Sequence, residues 1–235
     1  MKVYHITYSP SIKTACLYFY GCNFRCSFCI RKKSMYDIHL ENEPKGKLRM
    51  LGTGEVLRII DGLGAERAIM MGYEPTVDPE LPDLAERLSD LNVQVSLLTN
   101  GYELSGRLLG SVEKVCLSIK AYSEGLHRRL TGKGNGRVLE NFRKVHDLGI
   151  PLSAESIYIP GLIDLDEIMK IARFISSIDP EIPYHIDAYI PVDDRWRAPT
   201  AKEIIDAALE AKKYLKNVSY LCGDERLEHE VIQVV

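Results

Sequence analysis

The stretch Thr14-Ala15-Cys16-Leu17-Tyr18-Phe19-Tyr20-Gly21-Cys22-Asn23-Phe24-Arg25-Cys26-Ser27-Phe28-Cys29 sets the frame for the whole chain. Residues 15–20 form a mostly apolar, aromatic-rich run of strand length, closed by Gly21, which is the pattern of a buried parallel strand. The loop that follows carries three cysteines at C-x3-C-x2-C spacing. Runs like the first recur at 67–72, 93–99, 114–119, 152–159 and 184–190, with a last short one at 218–221. Each is bounded by Gly, Pro, Asn or Asp. Between them, 53–63, 79–90, 135–148, 164–177 and 200–214 repeat apolar residues every three to four positions, and a shorter helix is expected over 104–109. This alternation predicts about six parallel βαβ units. Such a count suits either a partial α/β barrel or a doubly wound sheet. In both, chemistry gathers at the C-terminal ends of the strands, where the cysteine loop lies.

Composition narrows the class. The chain has 235 residues, 46% hydrophobic and 27% charged, which are the proportions of an ordered globular protein rather than a disordered one. Its length fits one α/β barrel domain. A net charge of −3 argues against a nucleic-acid partner. The N-terminal segment is too polar for a secretory signal, and no run of about 18 apolar residues occurs, so a cytoplasmic protein without a membrane span is expected. In that compartment six cysteines read as metal ligands or catalytic groups before disulfides. The polar segment 30–51 is expected to be a mobile loop over the site.

Four arrangements are open to Cys22, Cys26 and Cys29. They are a disulfide framework, a zinc knuckle completed by a remote Cys or His, an electron-transfer cluster completed by a remote cysteine, and a [4Fe–4S] cluster with one iron left without a protein ligand. No second cysteine pair stands nearby to complete a zinc site. The spacing, with aromatic Phe28 just before the last cysteine, favours the open-iron cluster. After Cys29 only Cys116 and Cys222 remain, too few for a further four-cysteine cluster.

The motif Gly21 to Cys29 resembles the C-x3-C-x-φ-C signature of the radical SAM superfamily, φ being aromatic. Other segments match in order. Met71-Gly72-Tyr73-Glu74-Pro75-Thr76 resembles the family's G-G-E-P motif, with Tyr73 in place of the second glycine. Leu98-Thr99-Asn100-Gly101, Ser118-Ile119-Lys120, Leu130-Thr131-Gly132, Val138-Leu139-Glu140-Asn141 and Ile159-Pro160-Gly161-Leu162 resemble segments of the activating enzymes of glycyl radical proteins. Pyruvate formate-lyase activating enzymes are the type case, and the radical SAM protein of the AmmeMemoRadiSam system shares these segments. The resemblance runs from about residue 14 to about residue 224.

It implies a partial (β/α)6 TIM-like barrel of the radical SAM type as a single domain over 1–235. A cluster loop would span 21–32, and a C-terminal strand and tail would span 215–235. It implies a [4Fe–4S] cluster on Cys22, Cys26 and Cys29. S-adenosylmethionine (SAM) would bind at the fourth iron and be contacted from Phe28, Gly72, Tyr73, Glu74, Pro75, Thr99, Asn100, Ser118, Lys120, Glu155 and Tyr189. It further implies an external one-electron donor such as flavodoxin or ferredoxin, and hydrogen abstraction from a substrate. That substrate is a protein partner if the chain is an activase, and a peptide or metabolite otherwise. A non-catalytic Fe–S or zinc module is the reading from another class. The sequence departs from the activases at four places. Leu98 and Ser118 stand where two aspartates help hold a cation, Glu155 replaces an arginine, and Tyr189 replaces a histidine, with His185 nearby. Loss of two carboxylates removes hard oxygen ligands.

Remaining signals read more plainly. Gly52-Thr53-Gly54 is a helix cap and 132–136 a turn that opens a helix. Cys16 and Cys116 are packing residues, and Cys222 is an exposed thiol. Trp196 is a rim or anchor residue. Arg31-Lys32-Lys33 either attracts an anionic donor or substrate or is a solvated loop.

Overall fold

The computed structural model describes residues 1–40, 48–223 and 229–235. In chain order the strands are β1 (Val3–Ser9), β2 (Thr14–Phe19), β3 (Arg67–Gly72), β4 (Gln94–Thr99), β5 (Lys114–Ser118), β6 (Leu152–Tyr158), β7 (Tyr184–Ala188), β8 (Val218–Leu221) and β9 (Ile232–Gln233). The α-helices are α1 (Thr53–Leu63), α2 (Leu81–Asp90), α3 (Gly106–Leu109), α4 (Glu124–Thr131), α5 (Gly136–Asp147), α6 (Leu165–Ser176) and α7 (Ala201–Ala211). The strands form one sheet in the order β8-β7-β6-β5-β4-β3-β2-β1-β9. Every neighbouring pair from β2 to β8 is parallel, and β1 pairs antiparallel with both β2 and β9.

This order decides between the two architectures left open above. A doubly wound sheet reverses its strand order at a switch point. Here the order from β2 to β8 never reverses, so right-handed crossovers put every helix on the same face. That face becomes the outside of a curved, partly closed barrel, and the fold class is the partial (β/α)6 barrel.

Burial alternates accordingly. In β6, Leu152, Ala154, Ser156 and Tyr158 are buried against the helix layer, while Ser153, Glu155 and Ile157 are half-buried. β3 and β4 follow the same rule, with Ala68, Met70, Val95 and Leu97 facing the helices. The helices answer with matching stripes. In α2, Leu81, Leu84, Ala85 and Leu88 are buried at helical spacing. The apolar core thus lies between sheet and helices, and the concave inner face carries half-buried side chains of both kinds, among them Leu98, Glu155 and Ile157.

Most predicted elements appear within two or three residues of expectation. Three were not predicted: β1, α4 and the two-residue β9. β1 was overlooked because His5, Thr7 and Ser9 interrupt its apolar run, yet all seven of its residues are buried. α4 is only eight residues long and carries two arginines and a histidine. Of the loop predicted over 30–51, residues 41–47 lie outside the described residues, as do 224–228 of the predicted tail. The segment 30–40 is not loose against the barrel. Thr7 Oγ1 donates to Asp37 Oδ2 at 3.0 Å, and Arg31 donates to the carbonyls of Met35 and Tyr36 at 3.2 and 2.6 Å. Gly52, rather than Thr53, is the N-cap of α1, and Gly64 closes that helix in the left-handed region.

Candidate active site

The site is assembled where β2 and β3 end side by side. Gly72 has φ +110, and a Cβ there would stand 2.8 Å from the backbone nitrogen of Phe19. Only glycine permits this approach. It lets Tyr73 N–H donate to Phe19 O at 3.1 Å and Glu74 N–H to Gly21 O at 3.0 Å, so the turn after β3 is laced to the first residue of the cysteine loop. From the other side, Arg25 N–H donates to Thr131 O and Ser27 N–H to Leu130 O, at 2.8 and 3.1 Å. The loop 22–29 is therefore held between the β3 turn and the end of α4. Phe24 fills the gap, edge-on to Tyr102 at 5.5 Å and to His127 at 5.4 Å.

Cys22, Cys26 and Cys29 all line one cavity of about 290 Å³ at the C-terminal ends of the strands. Among the predicted SAM contacts, Phe28, Gly72, Tyr73, Thr99, Asn100, Ser118, Lys120, Glu155 and Tyr189 line the same cavity. Glu74 and Pro75 do not. Pro75 is buried at the start of a single 3-10 turn, Pro75–Val77. The Glu74 carboxylate points away from the cavity. It accepts from Thr99 Oγ1 and Thr76 Oγ1 at 2.6 Å each, from Thr76 N–H at 3.2 Å and from Asn100 N–H at 2.7 Å. Burial raises its affinity for a proton, and these four donors oppose the shift. Its side chain thus ties the β3 turn to the β4 turn.

Several lining residues were not among the SAM-contact candidates, Met71, Leu98, Ile157 and Asp187 among them. Strand alternation offered the signal, since Asp187 and Tyr189 share a face by period two, as do Glu155 and Ile157. Asp187 Oδ1 lies 3.1 Å from His185 Nε2, and His185 Nδ1 lies 2.7 Å from Ser219 Oγ. Tyr189 accepts from Val192 N–H at 3.1 Å, and Trp196 packs on it with ring centroids 6.4 Å apart. Next to Trp196, Arg195 donates to Ser27 O at 2.8 Å across the mouth. Cys16, Cys116 and Cys222 are partly exposed, so none is sealed inside the core. His5 and His127 are buried.

The electrostatics centre on Lys120, which is half-buried in the cavity wall. Burial opposes its charge, but the neighbouring Glu155 carboxylate leads the contributions that raise its proton affinity. Glu155 itself receives the Ser118 hydroxyl. Where the activases hold aspartates, the wall has apolar Leu98 and a serine already bonded to Glu155. Burial pushes the Cys26 thiol up to about 12 and raises the Cys22 thiol as well. Both are therefore protonated until a metal displaces the proton.

Two observations fit this donor set to an iron–sulfur cluster. Phe24 N–H and Asn100 Nδ2 are donors to Cys22 Sγ at 3.3 and 3.7 Å, the kind of N–H to sulfur bond that tunes a cluster. Asn23 Nδ2, inside the cysteine loop, is buried without a partner, a donor that a sulfur-rich group beside it would satisfy.

With barrel, cysteine loop and strand-end turns in place, the class can be stated. The radical SAM superfamily pattern matches residues 17–175, and the chain belongs to that superfamily. A Methanocaldococcus jannaschii protein provisionally named a glycyl-radical enzyme activating enzyme is 31% identical over 226 residues, covering 93% of this chain and 84% of that one. A domain of pyruvate-formate lyase-activating enzyme from Bacteroides vulgatus superposes with a TM-score of 0.56 at 20% identity, over 65% of this chain and 97% of that one. SuiB of Streptococcus suis, bound to its precursor peptide SuiA, gives 0.64 at 14% identity, over 85% of this chain and 46% of that one. Both likenesses show the fold, and the chain spans less than half the length of SuiB. No helix among the described residues is long and apolar enough to cross a membrane.

Proposed function

We propose that the chain holds one [4Fe–4S] cluster through Cys22, Cys26 and Cys29, binds SAM beside it, and abstracts hydrogen from a substrate in the manner of an activating enzyme. The carrying observation is the single cavity that the three cysteines share with Lys120, the Thr99–Asn100 turn and Tyr73. A cluster held by Cys22, Cys26 and Cys29 would supply one electron for the reductive cleavage of SAM to methionine and a 5′-deoxyadenosyl radical. The rest is done by the protein's own groups. Lys120 offers a cation to the methionine carboxylate. Carbonyls of the 72–74 turn accept from its ammonium group, while the Glu74 side chain braces that turn. Phe28, Ile157 and Ile190 exclude water and competing hydrogen donors. Glu155, Ser118 and Tyr189 face the nucleoside side of the cavity and orient it. The whole chain, 1–235, acts as one such domain, with its cluster loop at 21–32.

The electron comes from an external one-electron donor such as flavodoxin or ferredoxin. The substrate is a protein or peptide segment that enters the open mouth of the barrel. A second reading, a peptide- or metabolite-modifying enzyme, is favoured by Leu98 and Ser118, which leave the wall without the two carboxylates of the activases. Anaerobic loading with iron and sulfide, followed by SAM and dithionite, tests the proposal. The wild type should form 5′-deoxyadenosine and the Cys26→Ala variant should not. Equal yields from both would defeat the proposal and favour a non-catalytic module. A glycyl EPR doublet on a co-incubated protein partner would select the activase reading; turnover only with a peptide or metabolite would select the second.

A further inference from the structure

Tyr73 stands where the G-G-E-P motif has its second glycine. A glycine would offer no side chain there, and Tyr73 brings a phenol to the cavity that Cys22, Cys26 and Cys29 share. Burial, then the neighbouring Tyr20 and Cys29, hold the proton on that phenol, so its O–H bond is present at neutral pH. Thr99 and Ser118 also bring hydroxyls to the wall. Their aliphatic O–H bonds are too strong to yield hydrogen to a carbon radical. A phenolic O–H bond is weaker than the C–H bond of a methyl group, and yields it readily. With the three thiols committed to a cluster, Tyr73 and Tyr189 are the phenols among the described residues that line the cavity.

The two phenols differ in what lies behind them. The Tyr73 ring centroid is 5.4 Å from that of Tyr20 and 6.3 Å from that of Tyr4, and Tyr4 and Tyr20 are 6.0 Å apart. Three tyrosine rings thus meet in a triangle with one corner on the cavity. Tyr4 is 3% exposed, and its hydroxyl donates to the Met35 carbonyl, which cannot take up a proton. Tyr20 is 42% exposed, so water can receive its proton when an electron is withdrawn from it. Tyr189 is 2% exposed and its ring meets Trp196, over which the Arg195 guanidinium sits at 4.7 Å. A cation over an indole favours the electron-rich ring and opposes a positive hole on it. The route from the cavity to solvent therefore runs through Tyr73 and Tyr20.

We infer that Tyr73 is a sacrificial hydrogen donor: when no substrate C–H bond is in place, it gives its phenolic hydrogen to the 5′-deoxyadenosyl radical, and Tyr20 carries the resulting hole to solvent. The inference rests on the radical reading of the site given above. In the first step the Tyr73 O–H bond breaks and a C5′–H bond forms, leaving 5′-deoxyadenosine and a tyrosyl radical. In the second, Tyr20 passes one electron to Tyr73 and its proton to water, and Tyr73 regains a proton from water. A one-electron reductant, of the class that starts the reaction, then restores Tyr20 at the surface with a proton from water. An unspent radical thus leaves through side chains that survive oxidation, and the cysteine loop is spared.

Cluster-loaded protein in deuterium oxide, given SAM and dithionite without substrate or added thiol, tests this. The Tyr73 hydroxyl exchanges with solvent, so the wild-type 5′-deoxyadenosine should carry one solvent deuterium at C5′, read by mass spectrometry. Tyr73→Phe keeps a ring in the triangle and removes the O–H bond, and whatever product it makes should lose that label. Product from Tyr189→Phe should keep it. Freeze-quenched wild type should show a tyrosyl EPR signal that narrows when the protein is made with ring-deuterated tyrosine. That signal should vanish in Tyr73→Phe and outlast the wild-type signal in Tyr20→Phe, where the hole has lost its exit. A label that persists in Tyr73→Phe, or that disappears in Tyr189→Phe instead, overturns the donor assignment. A signal that decays in Tyr20→Phe as fast as in wild type overturns the exit. No 5′-deoxyadenosine at all from wild type would instead remove the radical reading beneath both.

Discussion

Glu74 Oε2 accepts the backbone N–H of Asn100 at 2.7 Å while its Oε1 accepts the Thr99 hydroxyl at 2.6 Å. One buried carboxylate thus joins the ends of β3 and β4 and fixes two turns that face the cavity. Removing it strands a buried amide and a buried hydroxyl, each of which costs free energy when unpaired. Glu74→Ala should lower stability by about 2 to 4 kcal/mol, read from urea unfolding. Glu74→Gln keeps the shape and one acceptor and should cost less. If the two variants are equally stable, the carboxylate is not the brace described.

Gly72 is the other fixed point of this corner. With φ +110 and the Phe19 backbone 2.8 Å from the missing Cβ, no side chain fits without moving β2. Gly72→Ala should cost at least about 2 kcal/mol. It should also impair iron loading, because the cysteine loop begins two residues after Phe19. A variant with wild-type stability and wild-type iron content would contradict the geometry.

Loading should depend on pH in a defined direction. Cys26 is held near 12 and Cys22 is raised, both by burial, so the metal-free thiols are protonated at neutral pH. Binding must release those protons, and acid opposes it. The rate at which visible absorbance develops on adding ferrous iron and sulfide should rise between about pH 7 and about pH 8.5. A rate that is flat or falls with pH would show that the thiols are not the groups that limit loading.

Acid should also loosen the support beneath the loop. Burial lowers the proton affinity of His127 and His5 below the ordinary 6.5. A group with a lowered folded value contributes stability that is complete above its unfolded value and is lost as pH falls toward the folded one. The melting temperature should therefore fall as pH drops from about 7.5 to about 5.5. His127 Nδ1 lies 2.7 Å from Lys133 O and its ring packs on Phe24, so His127→Phe should flatten part of that fall. An unchanged slope in His127→Phe would assign the acid sensitivity elsewhere.

Much of this molecule could be read in the chain itself, for identifiable reasons. The strands over 67–72 and 218–221 and the helix over 53–63 carry uninterrupted patterns, and they begin and end where expected. The cysteine loop and strand-end turns are local motifs, so the family resemblance they carry could be read from the chain, and nine of the SAM-contact candidates it implies line one cavity. What escaped depends on partners distant in sequence. β1 buries Thr7 only because Asp37 reaches back to it at 3.0 Å. α4 is held by its carbonyls to the backbone of Arg25 and Ser27, a bond no periodicity announces. Glu74 looked like a ligand residue because of the motif around it. Its role as a brace follows from the Thr99 and Asn100 donors, twenty-five residues further on.

The two rims of the sheet are unlike. At one, the antiparallel ribbon of β1, flanked by β9, covers β2, and every β1 side chain is packed. At the other, β8 pairs only with β7 among the described residues and otherwise packs on α7, and three of its four side chains are exposed. Opening of the native state should therefore start at β8 and travel inward, with amide exchange fastest there and slowest at β2. The corner that carries the thiols is thus the last to fray, so partial melting would strip away the substrate-side wall while the sulfur ligands stay in register.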